Sequence, residues 1–214
     1  MKKTKLIAVL MAVMCVFACA ACGATYDPVT HVQGELDAYY HGLYNEDYIA
    51  MLGDGTTEQI LRDQNEALTN SGVDSLIMSY DIYNPSAELE ALVTDMINTW
   101  YDAMKYEVGE ATEGEDCYVV EVTAYPLLTY DEVLDDADGT LEDTIMSLTN
   151  DSMSDEEWNT IALTEVCNAL ISALANPTYG DPVTVEITLN LGSDGLYVLS
   201  ESDFIELENI LLNY

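Results

Sequence analysis

His31 and His41 are the only histidines in this chain of 214 residues, and their side chains could bind a metal ion or carry a proton near neutral pH. They lie ten positions apart in a segment with helical periodicity, which separates them by ~15 Å along a helix. We therefore expect that they do not bind one metal ion together. A solvent-exposed or helix-capping role is expected for both.

Two acidic segments partly match the spacing of an EF-hand calcium loop. In the first, Asp136 and Asp138 precede Gly139, which would stand at the glycine position of the loop. In that register Leu134 and Ile145 occupy positions that need carboxylates. A second, slightly better match consists of Asn190, Asp194, Gly195 and Glu201, with Gly192 at a ligand position. We predict no dedicated metal site and expect divalent cations to bind the acidic surface nonspecifically.

Catalytic signatures are missing from the chain after Cys22, which contains no HExxH, CxxC, GxSxG or P-loop motif. The 40 Asp and Glu residues allow many carboxylate pairs, so a hydrolase of carbohydrate or peptide using an Asp/Glu pair is an open alternative. A catalytic acid needs a pKa raised by burial, and the sequence marks no residue for that role. We predict no catalytic residue and no cofactor, and we favour a non-enzymatic binding or envelope-accessory domain.

Tyr40, Tyr44 and Tyr48 follow one another at four-residue steps in a chain with fifteen tyrosines and two phenylalanines. A ridge of tyrosines can stack on sugars or peptides. More often such a ridge borders the core while its hydroxyls reach water, and we favour that interpretation. Trp100 and Trp158 are interpreted as core residues.

The charge of the chain is strongly negative, at −35 overall. All 40 acidic residues but only two basic ones, Arg62 and Lys105, lie after residue 21, so residues 22–214 carry a formal charge of −38. Such a surface repels phosphate backbones, which excludes nucleic acid as a partner. It also repels anionic lipid and attracts cations.

Cys117 and Cys167 are the cysteines outside the N-terminal segment. An exported chain could join them in one disulfide. Because Cys167 lies in a helical apolar stripe and Cys117 begins a strand pattern, we favour two free thiols.

Helical periodicity appears in three early segments, which begin near Asp27, Thr57 and Asn84. The second is expected to end near Gly72, and Asn84 with Pro85 supplies a cap for the third. A further helical section occupies 129–177, with a capping box from Ser154 to Glu157, and a short helix begins at Ser200.

The apolar period falls to two in four segments: 106–112, 117–127, 183–191 and 196–199. Each neighbouring pair is joined by a short turn, which predicts two hairpins. We therefore predict an α+β fold with a curved antiparallel sheet of about four strands packed by helices. The core is expected to form a single domain over 29–214.

The N-terminus has the order of an export signal, because Lys2, Lys3 and Lys5 precede an apolar run of ~16 residues that is too short to span a bilayer. The run ends in Cys19-Ala20-Ala21-Cys22-Gly23, which resembles the lipobox of bacterial lipoproteins. That resemblance implies lipidation of Cys22, with Cys19 as the fallback. The predicted organisation is a lipoprotein signal peptide over 1–21, the lipidated cysteine and a short tether over 22–28, and the domain.

Three segments carry a wider resemblance: Val32 to Tyr48 (VQGELDAYYHGLYNEDY), Lys105 to Ala111, and Tyr179-Gly180-Asp181-Pro182 before a Val/Thr strand. Together they are similar to uncharacterised lipoproteins of low-GC Gram-positive bacteria with a domain of unknown function. The first segment is also similar to the opening helix of NTF2-like or cystatin-like folds. These resemblances imply a lipid anchor on the outer face of the cell membrane, a curved sheet around a pocket, and a small-molecule, peptide or envelope-protein ligand.

Overall fold

The computed structural model of the chain describes residues 19–20, 26–53, 55–135, 139–192 and 195–213. This part contains eight helices and five strands, which confirms the predicted α+β class. The helices are α1 (Pro28–His41), α2 (Glu46–Met51), α3 (Glu58–Ser79), α4 (Ala87–Asp102), α5 (Thr129–Asp135), α6 (Thr140–Leu148), α7 (Asp155–Leu174) and α8 (Glu201–Leu211). The strands are β1 (Cys19–Ala20), β2 (Lys105–Glu113), β3 (Cys117–Tyr125), β4 (Val183–Leu191) and β5 (Leu196–Leu199).

The sheet is antiparallel, curved and unclosed, with the strand order β1-β5-β4-β3-β2. The pairs β2–β3 and β4–β5 are the two predicted hairpins. They join through β3 and β4, which pair from Cys117 opposite Asn190 to Ala124 opposite Val183. The predicted alternation holds, because Val120, Val122 and Ala124 are buried on one face of β3.

The chain forms two compact units. The sheet unit comprises the described residues of 14–66, 104–126 and 180–214, and the helical unit comprises those of 67–103 and 127–179. The boundary between residues 66 and 67 falls inside α3. A single domain over 29–214 stays a prediction.

In the helical unit, α7 packs against α4, α5 and α6. The predicted capping box is confirmed: the Ser154 N–H donates to Glu157 Oε2 at 2.8 Å, and the Glu157 N–H donates to Ser154 Oγ at 3.3 Å. Trp100 is a core residue, as predicted, and its ring stacks on Tyr130 with centroids 4.7 Å apart. Trp158 is half-buried and is not the core residue that was expected.

Two helix boundaries in this unit differ from the sequence expectation. α3 passes through Gly72 and ends at Ser79, because burial of Val73, Leu76 and Ile77 outweighs the ~1 kcal/mol cost of a helical glycine. α4 begins after Ser86 rather than at Asn84 and Pro85, since the Leu89 N–H donates to Ser86 Oγ at 3.2 Å.

In the sheet unit, α1 packs against β2 and β3, while α8 packs against β3 and β4. α1 begins with Asp27 as its N-cap and Pro28 in its first turn. It ends at Gly42, whose φ of 59° is the left-handed conformation that glycine adopts at a helix end. The helical segment that begins near Asp27 therefore comprises two helices, and α2 starts after its own N-cap, Asn45.

Cys117 and Cys167 are free thiols, as favoured from the sequence. Cys167 is buried in the helical unit, and burial raises the pKa of its thiol to about 12. Cys117 is half-buried at the start of β3 in the sheet unit. Cys117 is therefore the more accessible of the two.

Candidate functional site

One histidine and two glutamates are buried in the sheet unit: His31 and Glu35 on α1, and Glu208 on α8. They are 0 %, 6 % and 2 % exposed. Burying such groups costs free energy unless hydrogen bonds replace those lost to water. These three residues and their hydrogen-bond partners form the candidate site.

His31 lies in the first turns of α1 and is fully buried, so the expected solvent-exposed or capping role is wrong for it. Its Nδ1 is 2.6 Å from the hydroxyl oxygen of Tyr26, which lies just before the helix. Asp27 fixes this end of α1 by accepting a hydrogen bond from the Val29 N–H at 3.1 Å. His41, at the other end of α1, is half-buried and its ring stacks 5.5 Å from that of Tyr106.

A tyrosine cluster surrounds this hydrogen bond and consists of Tyr26, Tyr118 from β3 and Tyr197 from β5. The rings of Tyr26 and Tyr197 stack with centroids 4.3 Å apart. Tyr118 lies 5.4 Å from Tyr26 and 5.2 Å from Tyr197. All three side chains are half-buried. Through this cluster, Tyr26, which is hydrogen-bonded to His31, contacts strands β3 and β5 of the sheet.

Glu35 lies one helical turn after His31, and Tyr48 from α2 donates a hydrogen bond to its Oε2 at 2.7 Å. The Tyr48 ring also lies 6.2 Å from the His31 ring. Gly34 makes room for Tyr48, since a Cβ at Gly34 would lie 2.5 Å from the Cβ of Tyr48 and closer still to its Cγ. His31, Glu35 and Tyr48 thus form one contiguous buried group.

Glu208 is buried on α8, and Tyr39 of α1 donates a hydrogen bond to its Oε1 at 3.3 Å. The Tyr39 ring meets Phe204, one turn earlier on α8, edge to face at 5.3 Å. Burial raises the pKa of the Glu208 carboxyl to about 7, and the bond from Tyr39 opposes that shift without cancelling it. This carboxyl therefore gains and loses its proton near neutral pH.

Asp37, further along α1 than His31 and Glu35, fixes the helix against β2. Its Oδ1 accepts hydrogen bonds from the Tyr106 hydroxyl at 2.7 Å and from Gln33 Nε2 at 2.8 Å. Burial and the Asp37 carboxylate together raise the pKa of Tyr106. The Tyr106 hydroxyl therefore keeps its proton at physiological pH and remains a donor to Asp37.

The arrangement uses the buried polar groups to support the fold. His31, Glu35 and Glu208 are each hydrogen-bonded to a tyrosine hydroxyl from another segment of the chain. The pairs of Glu35 and Glu208 join α1 to α2 and α8, the pair of His31 ties the residues before α1 to the helix, and each satisfies a polar atom that burial has removed from water. The hydrolase alternative, with its Asp/Glu pair, stays a prediction.

The residues singled out from the sequence lie in different places. Cys22, Asp136, Asp138 and Asp194 fall outside the described residues. Gly139 precedes α6 as its N-cap, and Glu201 is exposed in the first turn of α8. Within the described ranges, no group of three or more His, Cys, Asp or Glu side chains could hold a metal ion. In the same ranges, no helix is both long and apolar enough to cross a membrane.

The predicted tyrosine ridge is divided between core and surface. Tyr40 and Tyr48 are 3 % and 0 % exposed, whereas Tyr44 is half-buried under the Arg62 guanidinium, 5.1 Å from its ring centroid. Tyr48 directs its hydroxyl to buried Glu35, so the expectation that these hydroxyls reach water is wrong for Tyr48. Tyr40 and Tyr48 therefore lie inside the core rather than at its border, and the Tyr40 hydroxyl oxygen is also buried.

Sequence reasoning missed the buried carboxyls, although the periodicity contains a signal for both. Glu208 stands four residues after Phe204 and three before Leu211, on the buried stripe of α8. Glu35 stands in the same relation to His31 and Ala38 on α1. An acidic residue on an apolar stripe is therefore the feature that distinguishes these two from the solvated majority.

Comparison with known proteins shows a similarity of fold. No protein-family profile matches the chain, and no curated protein matches it significantly. A solved structure with a similar fold is that of a candidate lipoprotein, YcdA, from Bacillus subtilis strain 168, with a TM-score of 0.53 and 16% sequence identity. The match covers 85% of this chain and 54% of that one, so this chain spans about half the length of the protein it matches.

Proposed function

We propose that this chain is an extracytoplasmic lipoprotein, held on the outer face of the cell membrane by a lipid on Cys22, where it acts as a non-enzymatic binding or envelope-accessory domain. The observation that carries the proposal is the order of the N-terminus: three lysines, an apolar run, then Cys19-Ala20-Ala21-Cys22-Gly23. The fold supports it, because Tyr26, four residues after Cys22, already packs against the sheet through the ring of Tyr197. The fold similarity to a candidate lipoprotein points the same way.

A binding role agrees with the chemistry of the buried groups. The ionisable side chains inside the sheet unit hold tyrosine hydroxyls, which favours a structural role for them over a catalytic one. The net charge of −38 over residues 22–214 favours a cationic small molecule, peptide or envelope protein as the ligand. An NTF2-like or cystatin-like assignment and a relationship to Gram-positive domains of unknown function stay predictions.

Detergent partitioning with two matched cysteine variants tests the anchor. Cys22→Ala should move the protein into the aqueous phase, because each buried methylene contributes ~0.8 kcal/mol and two acyl chains hold firmly. Cys19→Ala should stay in the detergent phase like the wild type. Mass spectrometry of the wild-type N-terminal peptide should show a diacylglyceryl group on Cys22. A Cys22→Ala protein that remained in the detergent phase would contradict the proposal.

A further inference from the structure

We propose that one end of the sheet faces the membrane: the end at which β3 begins and β4 ends, with the tyrosine cluster of Tyr26, Tyr118 and Tyr197 at the level of the lipid headgroups. The proposal rests on the lipid anchor at Cys22 proposed above and adds an orientation to it. Its partner is the interfacial region of a lipid bilayer.

The length of the tether supports this orientation. Three residues separate Cys22 from Tyr26, so their Cα atoms lie at most about 14 Å apart even in a fully extended chain. Tyr26 belongs to the fold, since its ring stacks on Tyr197 at 4.3 Å and its hydroxyl is 2.6 Å from His31 Nδ1. A lipid on Cys22 therefore holds the tyrosine cluster close to the bilayer.

The pairing of β1 gives a second indication of the same location. Ala20, two residues before Cys22, pairs with Leu196 of β5, and Cys19 pairs with Tyr197. Tyr26, four residues after Cys22, stacks on the same Tyr197. The chain thus meets β5 on both sides of the lipidation position. Removal of residues 1–21 would delete β1 and leave the Tyr26 contact in place.

The chemistry of the cluster suits the headgroup region. Tyrosine has an apolar ring and a polar tip, and it is enriched where bilayer and water meet. Burial raises the pKa of the Tyr197 hydroxyl, and Tyr118 and the nearby carboxylates of Glu113 and Asp116 raise it further. Their charges oppose entry into the hydrocarbon and repel anionic lipid. The surface that fits is therefore a zwitterionic headgroup layer, contacted without deep insertion.

The native thiol of Cys117 allows a direct test. Cys117 is half-buried next to Tyr118, whereas Cys167 is fully buried with a raised pKa, so a maleimide fluorophore should label Cys117 selectively. The matched control carries Cys117→Ser and Thr184→Cys. Thr184 is exposed near the other end of β4, and the pairing of Cys117 with Asn190 places it six residues, or ~20 Å, along the strand.

Lipidated mature protein, which begins at Cys22 and so lacks Cys15 and Cys19, would be incorporated with either label into phosphatidylcholine vesicles containing a headgroup nitroxide quencher. Given a separation of ~20 Å, we expect quenching to be at least about twice as strong at position 117 as at position 184. If the protein floats with the vesicles but both positions are quenched equally, or position 184 more strongly, the proposed orientation is wrong and the anchor still stands. Failure of the protein to float with vesicles would overturn the anchor and the orientation together.

Two Tyr26 variants separate the stacking from the hydrogen bond. Tyr26→Phe keeps the ring on Tyr197 and should preserve the difference between the two labels. Tyr26→Ala removes the ring and lengthens the free tether, so the difference should shrink while flotation is retained. Circular dichroism would establish that both variants remain folded. An unchanged difference in folded Tyr26→Ala would count against the tyrosine cluster as the element that sets the orientation.

Discussion

Glu208 makes stability depend on pH through a single buried carboxyl. In the folded protein its pKa is raised to about 7, while in the unfolded chain it stays near 4.5. Below pH 4.5 the group is protonated in both states. Between pH 4.5 and 7 the unfolded chain ionises first, so the free energy of unfolding falls as pH rises, by on the order of 3 kcal/mol in total.

Glu208→Gln should therefore raise the free energy of unfolding at pH 8 by up to roughly 3 kcal/mol and change it little at pH 4.5. Glutamine is neutral at both pH values and can still accept the hydrogen bond from Tyr39. Urea unfolding of wild type and variant at the two pH values measures the difference. Glu206→Gln is the matched control, because it removes the same charge from an exposed position on the same helix. An equal gain from both variants would contradict the assignment to burial.

Single residues of this kind were only partly predictable from the sequence, because a position on an apolar stripe marks a candidate without showing that it is covered. Composition shows 40 acidic residues, and nearly all such residues are solvated in folded proteins. Whether a stripe position is covered depends on what packs over it, and for Glu208 that is Tyr39, 169 positions away in the chain. The burial of His31 was missed for the same reason. The Tyr26 ring lies against His31 and is itself stacked on Tyr197, which belongs to a strand far away in the chain.

At the scale of elements, the packing of α1 against α2 depends on the absence of a side chain at Gly34. Alanine has the higher helix propensity, by about 1 kcal/mol. At Gly34, however, its methyl group would overlap the Tyr48 ring, which is fully buried and hydrogen-bonded to Glu35. We expect Gly34→Ala to lower the free energy of unfolding by roughly 1–3 kcal/mol, the usual cost of overpacking.

Gly72→Ala is the control for this prediction. Gly72 also lies inside a helix, but a Cβ there would meet only Ile97 Cδ1, at 3.9 Å. Its substitution should raise the free energy of unfolding by about 0.5–1 kcal/mol through helix propensity. Thermal unfolding followed by circular dichroism compares the two. Stabilisation by both substitutions would show that Tyr48 can move aside.

Elements were more predictable than residues where the signal is local. The alternation in β4 and the reciprocal bonds of Ser154 and Glu157 involve neighbours in the chain. The bonds were confirmed, and the alternation holds from 185 to 189, while the apolar residues at both ends of the strand are exposed. The boundaries that failed depend on distant contacts or on one backbone angle. α3 continues through Gly72 because its next turns are buried, and α1 stops at Gly42 because that residue adopts a φ of 59°.

At the scale of the whole molecule, the division into two units has no marker in the sequence. Each unit is assembled from separated segments, and one boundary falls inside α3. A composition-based search finds linkers rich in Pro, Gly or Ser, whereas here the boundaries at 66/67, 103/104 and 126/127 fall within or directly beside regular elements, and that at 179/180 alone falls in a longer connection. The α+β class was nevertheless predictable, because it depends on the period of each element and not on how the elements cluster.

The charge of the whole molecule leads to a last prediction. Residues 22–214 carry −38, and the two basic side chains are already engaged: Arg62 pairs with Glu58 at 2.6 Å, and the Lys105 ammonium lies 4.1 Å from the Tyr125 ring centroid. Repulsion among the acids therefore opposes folding and is screened over ~30 Å at 0.01 M salt but ~8 Å at 0.15 M. We expect the Tm of the mature protein to rise by a few degrees between these salt concentrations, since about 1 kcal/mol corresponds to ~2–4 °C at this chain length.

Divalent cations should also raise the Tm, because they are attracted by the negative electrostatic field of the same acidic surface. Calcium and magnesium at equal concentrations should raise the Tm equally, and more than sodium at the same ionic strength, because a diffuse acidic surface attracts charge without selecting an ion. Differential scanning fluorimetry with the three chloride salts measures this. A calcium effect well above that of magnesium would require a coordination shell of the size and flexibility that calcium prefers, and would replace nonspecific binding with a dedicated site.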